Sequence, residues 1–259
     1  MNKIKFLGTA GARFVVTRQL RASGGIWFEL DDTKFLLDPG PGSLVKCLSS
    51  RPKKDPLTLD GIILSHRHID HSSDLNIMVE AMTNGGFKKR GTVILPGNAI
   101  QEEAVFFKYL HNAIDKLIIL KEKARFKLNN IIILTGRKLM HPVETYGFEF
   151  IYSKGRIGYI ADTRFFPELA GEFKSDILII NTVRFDKDPE SGKIIDHLTF
   201  NEAVYLIKAV KPKLAVLTHF GMTMIKNRPY ELAKKASEEI NIKVISASDG
   251  MEIDLDKIL

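Results

Sequence analysis

The sequence predicts a mixed α/β layered protein, and three observations carry the prediction. Short apolar runs of strand length alternate with segments of helical period along the 259 residues. No linker rich in Pro, Gly or Ser and no low-complexity tract interrupts them, so one domain spanning residues 1–259 is expected. Histidines and aspartates gather just after the apolar runs, at Asp38, at residues 66–71, at Asp162 and at His219. Loops leave a rigid sheet at such places, and ligands collect there. Apolar residues make up 44% and charged residues 27%, a balance that supports a sizeable core and excludes disordered and fibrous classes.

Residues 3–7, 25–30 and 34–37 read as strands, and residues 61–64 as a buried strand ending at Ser65. A helix follows over 70–82, then a strand over 92–95 and a helical period over 99–117. Residues 116–120, 130–134, 148–152 and 156–160 read as strands. The last third repeats the rhythm, with a strand over 176–180 and a helix from Thr199 to about Val210. Thr199 and Glu202 stand at capping-box spacing. A strand over 214–218, a helix over 229–240 and strands over 243–245 and 251–255 complete the chain.

The formal net charge is +7, which favours anionic partners such as phosphates, nucleic acid or acidic membranes. A lysine-rich solvated surface is the alternative. The clusters Arg51-Pro52-Lys53-Lys54 and Lys88-Lys89-Arg90 read as loop charges, because no aromatic residues interleave them for base stacking. Cys47 is the single cysteine, so no intrachain disulfide forms and a reducing compartment fits. Leu44, Val45 and Leu48 flank it, which makes it a packing residue rather than a nucleophile. No apolar stretch reaches about 18 residues, and Gly8 breaks the first apolar run early. Neither a membrane span nor a signal peptide is expected, and the location expected is cytoplasmic.

Ser65-His66-Arg67-His68-Ile69-Asp70-His71 concentrates three histidines and an aspartate behind a buried strand. Imidazole and carboxylate ligate divalent zinc, iron or manganese. The alternative is a polar turn with solvent-facing histidines. His111 alone among the histidines has no ready role; grouping His66, His68, His71, His141, His197 and His219 around one site accounts for the others.

His66-x-His68-x-Asp70-His71 resembles the HxHxDH signature of the metallo-β-lactamase superfamily. Later landmarks follow in the family's order. His141 in Met140-His141-Pro142 resembles the third histidine, and His219 in Leu217-Thr218-His219-Phe220 the last. Asp162 in Tyr159-Ile160-Ala161-Asp162-Thr163 resembles the bridging aspartate, with Ala161 where a glycine is usual. Asp38 in Leu36-Leu37-Asp38-Pro39-Gly40 resembles the aspartate that ends an early strand, and Ser248-Asp249-Gly250-Met251-Glu252 resembles the family's C-terminal segment. The resemblance implies a four-layer αβ/βα sandwich with its site at one edge of the sheets. It implies two divalent ions, Zn2+ with Mn2+ or Fe2+ as alternatives. His66, His68 and His141 would hold the first, Asp70, His71 and His219 the second, and Asp162 both. Asp38 either orients a ligand imidazole or is a strand-end turn carboxylate. Such a pair of metals shares a water of lowered pKa, and Asp70 would orient the bridging hydroxide as nucleophile. Phosphodiesters, thioesters, lactones and amides all fit that chemistry.

Residues outside the ligand set choose among these. Asp196-His197-Leu198-Thr199-Phe200-Asn201-Glu202-Ala203 resembles the HL[ST]xxEA segment of the superfamily's phosphodiesterases, tRNase Z and the cyclic ribose-phosphate phosphodiesterases among them. The resemblance implies that His197 faces the phosphate, where it stabilises a nonbridging oxygen or protonates the leaving oxygen. A capping-turn histidine is the alternative. Thr182-Val183-Arg184 resembles the LDALR-like segment of the small-molecule phosphodiesterases, with Asn181 in the place of the aspartate. Arg184 would then bind phosphate bidentately, or else be a surface arginine. Asn181 cannot supply the glutamate of the tRNase Z HEAT motif. Residues 142–161 leave no room for the long arm that tRNase Z inserts between its third histidine and bridging aspartate. One cysteine cannot make the cysteine-rich zinc site of some cyclic phosphodiesterases.

Phe6-Leu7-Gly8-Thr9-Ala10-Gly11-Ala12-Arg13 resembles the family's FLGTGG-type opening. Its glycines supply turns, and a phosphate cradle is disfavoured because no helix clearly follows. Arg13, Arg18 and Arg21 line the site mouth or the general surface. The expected function is a dinuclear phosphodiesterase acting on a small cyclic or linear phosphodiester. A lactonase or thioesterase on the same fold, and a nuclease acting on RNA, are the alternatives. The expected partner is the small substrate, with nucleic acid not favoured, no membrane, and a homodimer left open.

Overall fold

The computed structural model describes residues 2–101, 103–186 and 195–259. One sheet contains β1 (Lys3–Phe6), β2 (Ile26–Leu30), β3 (Thr33–Leu37), β4 (Gly61–Ile63), β5 (Thr92–Leu95) and β6 (Lys116–Ile119). The other contains β7 (Arg125–Leu128), β8 (Ile131–Thr135), β9 (Phe148–Tyr152), β10 (Gly155–Ile160), β11 (Ile177–Asn181), β12 (Leu214–Thr218) and β13 (Lys243–Ser246). The last strand, β14 (Glu252–Asp254), returns to the first sheet beside β1. Both sheets are mixed. β1 to β3 and β7 to β10 pair antiparallel, whereas β3 to β6 and β10 to β13 run parallel.

The sheets meet face to face through large apolar side chains. Phe28 and Phe35 of the first stack with centroids 4.7 Å apart, and Phe150 of the second lies 5.2 and 5.0 Å from them. Offset and tilted rings of this kind add to the burial of their area. Every residue of β11 and of β12 is buried, because helices cover the face turned away from the partner sheet. Seven α-helices are found among the described residues: α1 (Ala12–Thr17), α2 (Ser43–Ser49), α3 (Ile69–Ser72), α4 (Leu75–Met82), α5 (Phe200–Val210), α6 (Met222–Lys226) and α7 (Pro229–Ile240). On the first sheet, Trp27, Leu36, Ile62 and Val93 pack against Cys47 of α2 and Leu75, Met78, Val79 and Met82 of α4. On the second, Ala203, Leu206 and Ile207 of α5 and Ala233 and Ala236 of α7 join the central core. The architecture is therefore the expected αβ/βα sandwich. Thr199 caps α5 as its spacing predicts, accepting from Glu202 N while its own N–H reaches Glu202 Oε2.

Two helical expectations need correction. Residues 70–82 form two helices, α3 and α4, because Asp74 leaves helical geometry (φ −94°, ψ 5°) and turns its carboxylate to Leu44 N. Residues 99–117 form no α-helix among those described; turns at Gly97–Ala99 and Lys108–Ala113 replace it. Phe106, Leu110 and Ile114 still bury at intervals of four, so irregular chain meets the apolar spacing that signalled a helix. The run Val105-Phe106-Phe107 disfavours a helix through lost rotamer freedom, and Phe107 is extended.

Cys47 is fully buried and unpaired, as its apolar neighbours predict. Burial, with the Asp74 carboxylate nearby, pushes its thiol up to about 12. The thiolate is the reactive form, so at pH 8 roughly 10³-fold less of it is present than for an ordinary thiol. Native protein is expected to resist a disulfide reagent at pH 8 and to react once denatured. Complete labelling of native protein within minutes would contradict this packing. Among the described residues no helix is long and apolar enough to cross a membrane.

Candidate metal centre

Parallel pairing of β3 with β4 sets their C-terminal ends side by side, and the site begins there. Asp38, just past β3 in left-handed backbone (φ 52°), accepts from Ser65 N at 2.6 Å, Ser65 Oγ at 2.7 Å and the Tyr159 hydroxyl at 2.8 Å. It also faces His71 Nδ1 at 3.0 Å. Asp38 thus anchors the histidine loop and orients one imidazole, rather than merely ending a strand. His66 Nδ1 lies 2.9 Å from Ser65 Oγ, which turns Nε2 the other way.

The second sheet brings the remaining groups. His141 stands between β8 and β9, Asp162 two residues past β10, and His219 one residue past β12. His141 Nδ1 is held by the Asp196 carbonyl at 2.9 Å, and its Nε2 lies 2.9 Å from His68 Nδ1. Asp162 Oδ2 lies 3.5 Å from His71 Nε2 and 3.4 Å from His219 Nε2. Asp70 Oδ2 lies 3.9 Å from His71 Nε2 and 3.6 Å from His219 Nε2. Three groups converge with ligand atoms within 4.8 Å of one another: His66, His68 and His141; His66, His71 and Asp162; Asp70, His71 and His219. All seven residues expected as ligands are brought together.

The nitrogens fit a cation. Nε2 of His66, of His71 and of His219 are buried without a hydrogen-bond partner among the described residues. Buried polar atoms are seldom left so, and a nitrogen and carboxylate donor set suits a divalent ion. Burial, and then His71 beside it, holds His66 well below the usual histidine range, and burial lowers His68 to about 4. Both rings present lone pairs at neutral pH. For His71 burial opposes charge, but Asp70 and Asp38 outweigh it and raise its pKa. For Asp162 burial also opposes charge, yet His219 and His197 hold its carboxyl well below the ordinary range.

His197 reaches the same cleft. Its Nδ1 lies 3.5 Å from Asp162 Oδ2 and its ring 5.3 Å from that of His141, yet it belongs to none of the three groups. Burial lowers its pKa. Arg184 is brought beside this segment by its backbone, which bonds to Leu198 and Phe200. Arg21 lies over the Phe220 ring at 5.0 Å, whereas Arg18 stays over Phe14 of its own segment and Arg13 is exposed. A helix, α1, does follow Gly11, contrary to expectation, but it has six residues and His219 packs against Gly11.

Two supporting residues escaped the sequence reading of the site. Asn181 Nδ2 donates to Asp162 Oδ1 at 2.9 Å and to the Tyr159 hydroxyl at 3.1 Å. One oxygen of Asp162 is thereby occupied, and Oδ2 is left to face the histidines. The place of Asn181, at the end of β11 and just ahead of the segment Thr182-Val183-Arg184, was the available signal. Tyr159 had none beyond its nearness to Asp162.

The family model of the Beta-lactamase superfamily domain matches residues 33–220. A protein of Methanocaldococcus jannaschii described as uncharacterized is 32% identical over 261 residues, covering 98% of this chain and 95% of its own. Ribonuclease Z of Borreliella burgdorferi is 24% identical, covering 98% of this chain and 97% of its own. The crystal structure of the metallo-β-lactamase fold protein YhfI from Bacillus subtilis superposes with a TM-score of 0.78 at 23% identity, covering 97% of this chain and 98% of that one. These similarities run through the residues that build the histidine and aspartate cluster, and the chain belongs to the metallo-β-lactamase superfamily of metal-dependent hydrolases, near its ribonuclease Z branch.

Proposed function

We propose that residues 1–259 form one dinuclear phosphodiesterase domain acting on a small cyclic or linear phosphodiester. His66, His68 and His141 would hold one divalent ion, Asp70, His71 and His219 a second, and Asp162 would serve both. Bound Zn2+, or Mn2+ or Fe2+ in its place, supplies Lewis acidity and a water of lowered pKa. Asp70 would orient the water, while Asn181 holds Asp162 and Asp38 holds His71 in place. The observation that carries the substrate class is His197: an imidazole inside the cleft that joins no ligand group is free to meet a phosphate. Arg184, whose backbone is bonded to Leu198 and Phe200, would add a planar cation for the nonbridging oxygens. A net charge of +7 draws anionic substrates. Ribonuclease Z among the relatives supports phosphodiester chemistry, while the tight turn from β9 into β10 leaves no arm for gripping a long RNA. The single buried thiol supports a cytoplasmic location.

The test is a panel assay of metal-loaded protein with bis(p-nitrophenyl) phosphate, cyclic nucleotides, cyclic ribose phosphates, a short RNA, lactones and thioesters. Small phosphodiesters are expected to turn over fastest. Rapid turnover of lactones or thioesters with every phosphodiester inert overturns the reading, and preference for RNA moves the assignment to a nuclease.

A further inference from the structure

His219 adopts left-handed backbone (φ 59°), an uncommon state for a residue with a side chain. Such a conformation persists only where the surroundings impose it. On one side of His219, Thr182 N bonds to Thr218 O at 2.8 Å and Gly221 N to Val183 O at 3.0 Å. On the other lies the loop after β1: Phe220 N bonds to Thr9 O at 2.8 Å, and Gly11 N to Phe220 O at 3.0 Å. The contact is close. A Cβ on Gly11 would stand 2.2 Å from His219 O and 2.7 Å from its ring carbon Cδ2. The position of the His219 imidazole therefore depends on where residues 9–11 lie.

Residues 9–11 are themselves held from the far end of the chain. Thr9 Oγ1 donates to Asp249 Oδ1 at 2.7 Å, and Ala22 N donates to Asp249 Oδ2 at 2.7 Å, so one carboxylate ties both flanks of the loop. Arg21 Nη1 donates to Thr9 Oγ1 at 3.0 Å and to Ala247 O at 3.3 Å, with its guanidinium over the ring of Phe220. Asp249 sits in the turn between β13 and β14 and belongs to none of the ligand groups.

We propose that Asp249 is a positioning residue for the ion held by Asp70, His71 and His219, acting through Thr9 on the His219 backbone. The inference rests on the two-ion reading of the site. It makes one ion dependent on Asp249 and leaves the ion of His66, His68 and His141 independent of it. A merely structural Asp249 would weaken both alike.

The experiment titrates metal-stripped full-length protein with Co2+, followed by visible absorption, alongside elemental analysis of Zn2+-loaded protein and thermal melting. In Asp249→Ala one binding step is expected to keep its native affinity and the other to weaken about 10–100-fold, the scale for partners that orient a ligand. Thr9→Val, which keeps the shape and removes the hydroxyl, should do the same. Thr9→Ser, which restores the hydroxyl, should retain both steps. Should Asp249→Ala fail to fold, the two Thr9 variants decide. Two unaltered steps in Asp249→Ala or Thr9→Val overturn the proposal, as do two steps lost in parallel with the melting temperature. Native protein that takes up fewer than two ions overturns instead the reading of the site.

Discussion

Asp162→Ala is expected to lose both ions and, with them, all measurable phosphodiester turnover. The carboxylate is 2% exposed, and its Oδ2 faces nitrogens of His71, His219 and His197 at 3.4–3.5 Å. One anionic oxygen facing three imidazole nitrogens, two of them (His71 and His219) in the candidate ligand groups, is placed to share a cation with them. Its removal takes a ligand from both proposed ions at once. Metal affinity should therefore fall by more than the roughly 10–100-fold that follows loss of a partner which only orients a ligand. Asp162→Asn separates charge from shape. It keeps the volume and an oxygen for Asn181 but removes the anion, and it should fail nearly as badly. Asn181→Ala should be milder, since Asp162 then keeps its charge and loses only its orientation. Elemental analysis and calorimetric titration check all three. An Asp162→Ala protein that still carries two ions at native affinity would remove the bridging role.

Residues near one another in sequence made the site legible. His66, His68, Asp70 and His71 come from a single loop, so their chemistry is visible before any fold is known. His141, Asp162 and His219 are distant, and only their order relative to strands places them. The support beneath them was harder to read. Asp38, Tyr159 and Asn181 meet because β3 and β10–β11 belong to sheets that face each other, and no local pattern encodes that meeting. The fold shows the same division. Buried central strands such as β11 and β12 announce themselves as continuous apolar runs. Helices α1, α2 and α6, of six, seven and five residues, are too short for a helical period to register. Strand β7 was missed although Arg125 and Lys127 alternate with Phe126 and Leu128, because four residues are at the lower limit for an alternating pattern to register. Its charges suit an edge strand, where they protect against unwanted pairing.

His197→Ala is expected to leave metal content unchanged and to lower turnover of an alkyl phosphodiester by about 10²–10⁴-fold, the usual contribution of a general acid or base. The geometry motivates both halves. His197 stays outside the three ligand groups, so no ion should depend on it. Its ring nonetheless stands in the cleft, 5.3 Å from that of His141 and with Nδ1 3.5 Å from Asp162 Oδ2. In the proposed role His197 would pass a proton to the leaving oxygen. The contrast between leaving groups tests that step. An alkoxide needs the proton and p-nitrophenolate does not, so the loss should shrink markedly with bis(p-nitrophenyl) phosphate. Equal losses on both substrates would assign His197 to charge stabilisation at a nonbridging oxygen. Unchanged turnover on both would show that His197 serves only the turn ahead of α5, and would withdraw the main structural reason for preferring phosphodiesters. His197→Gln sharpens the comparison. Its amide can still donate a hydrogen bond but cannot deliver a proton, so it should rescue the variant only if stabilisation is the role.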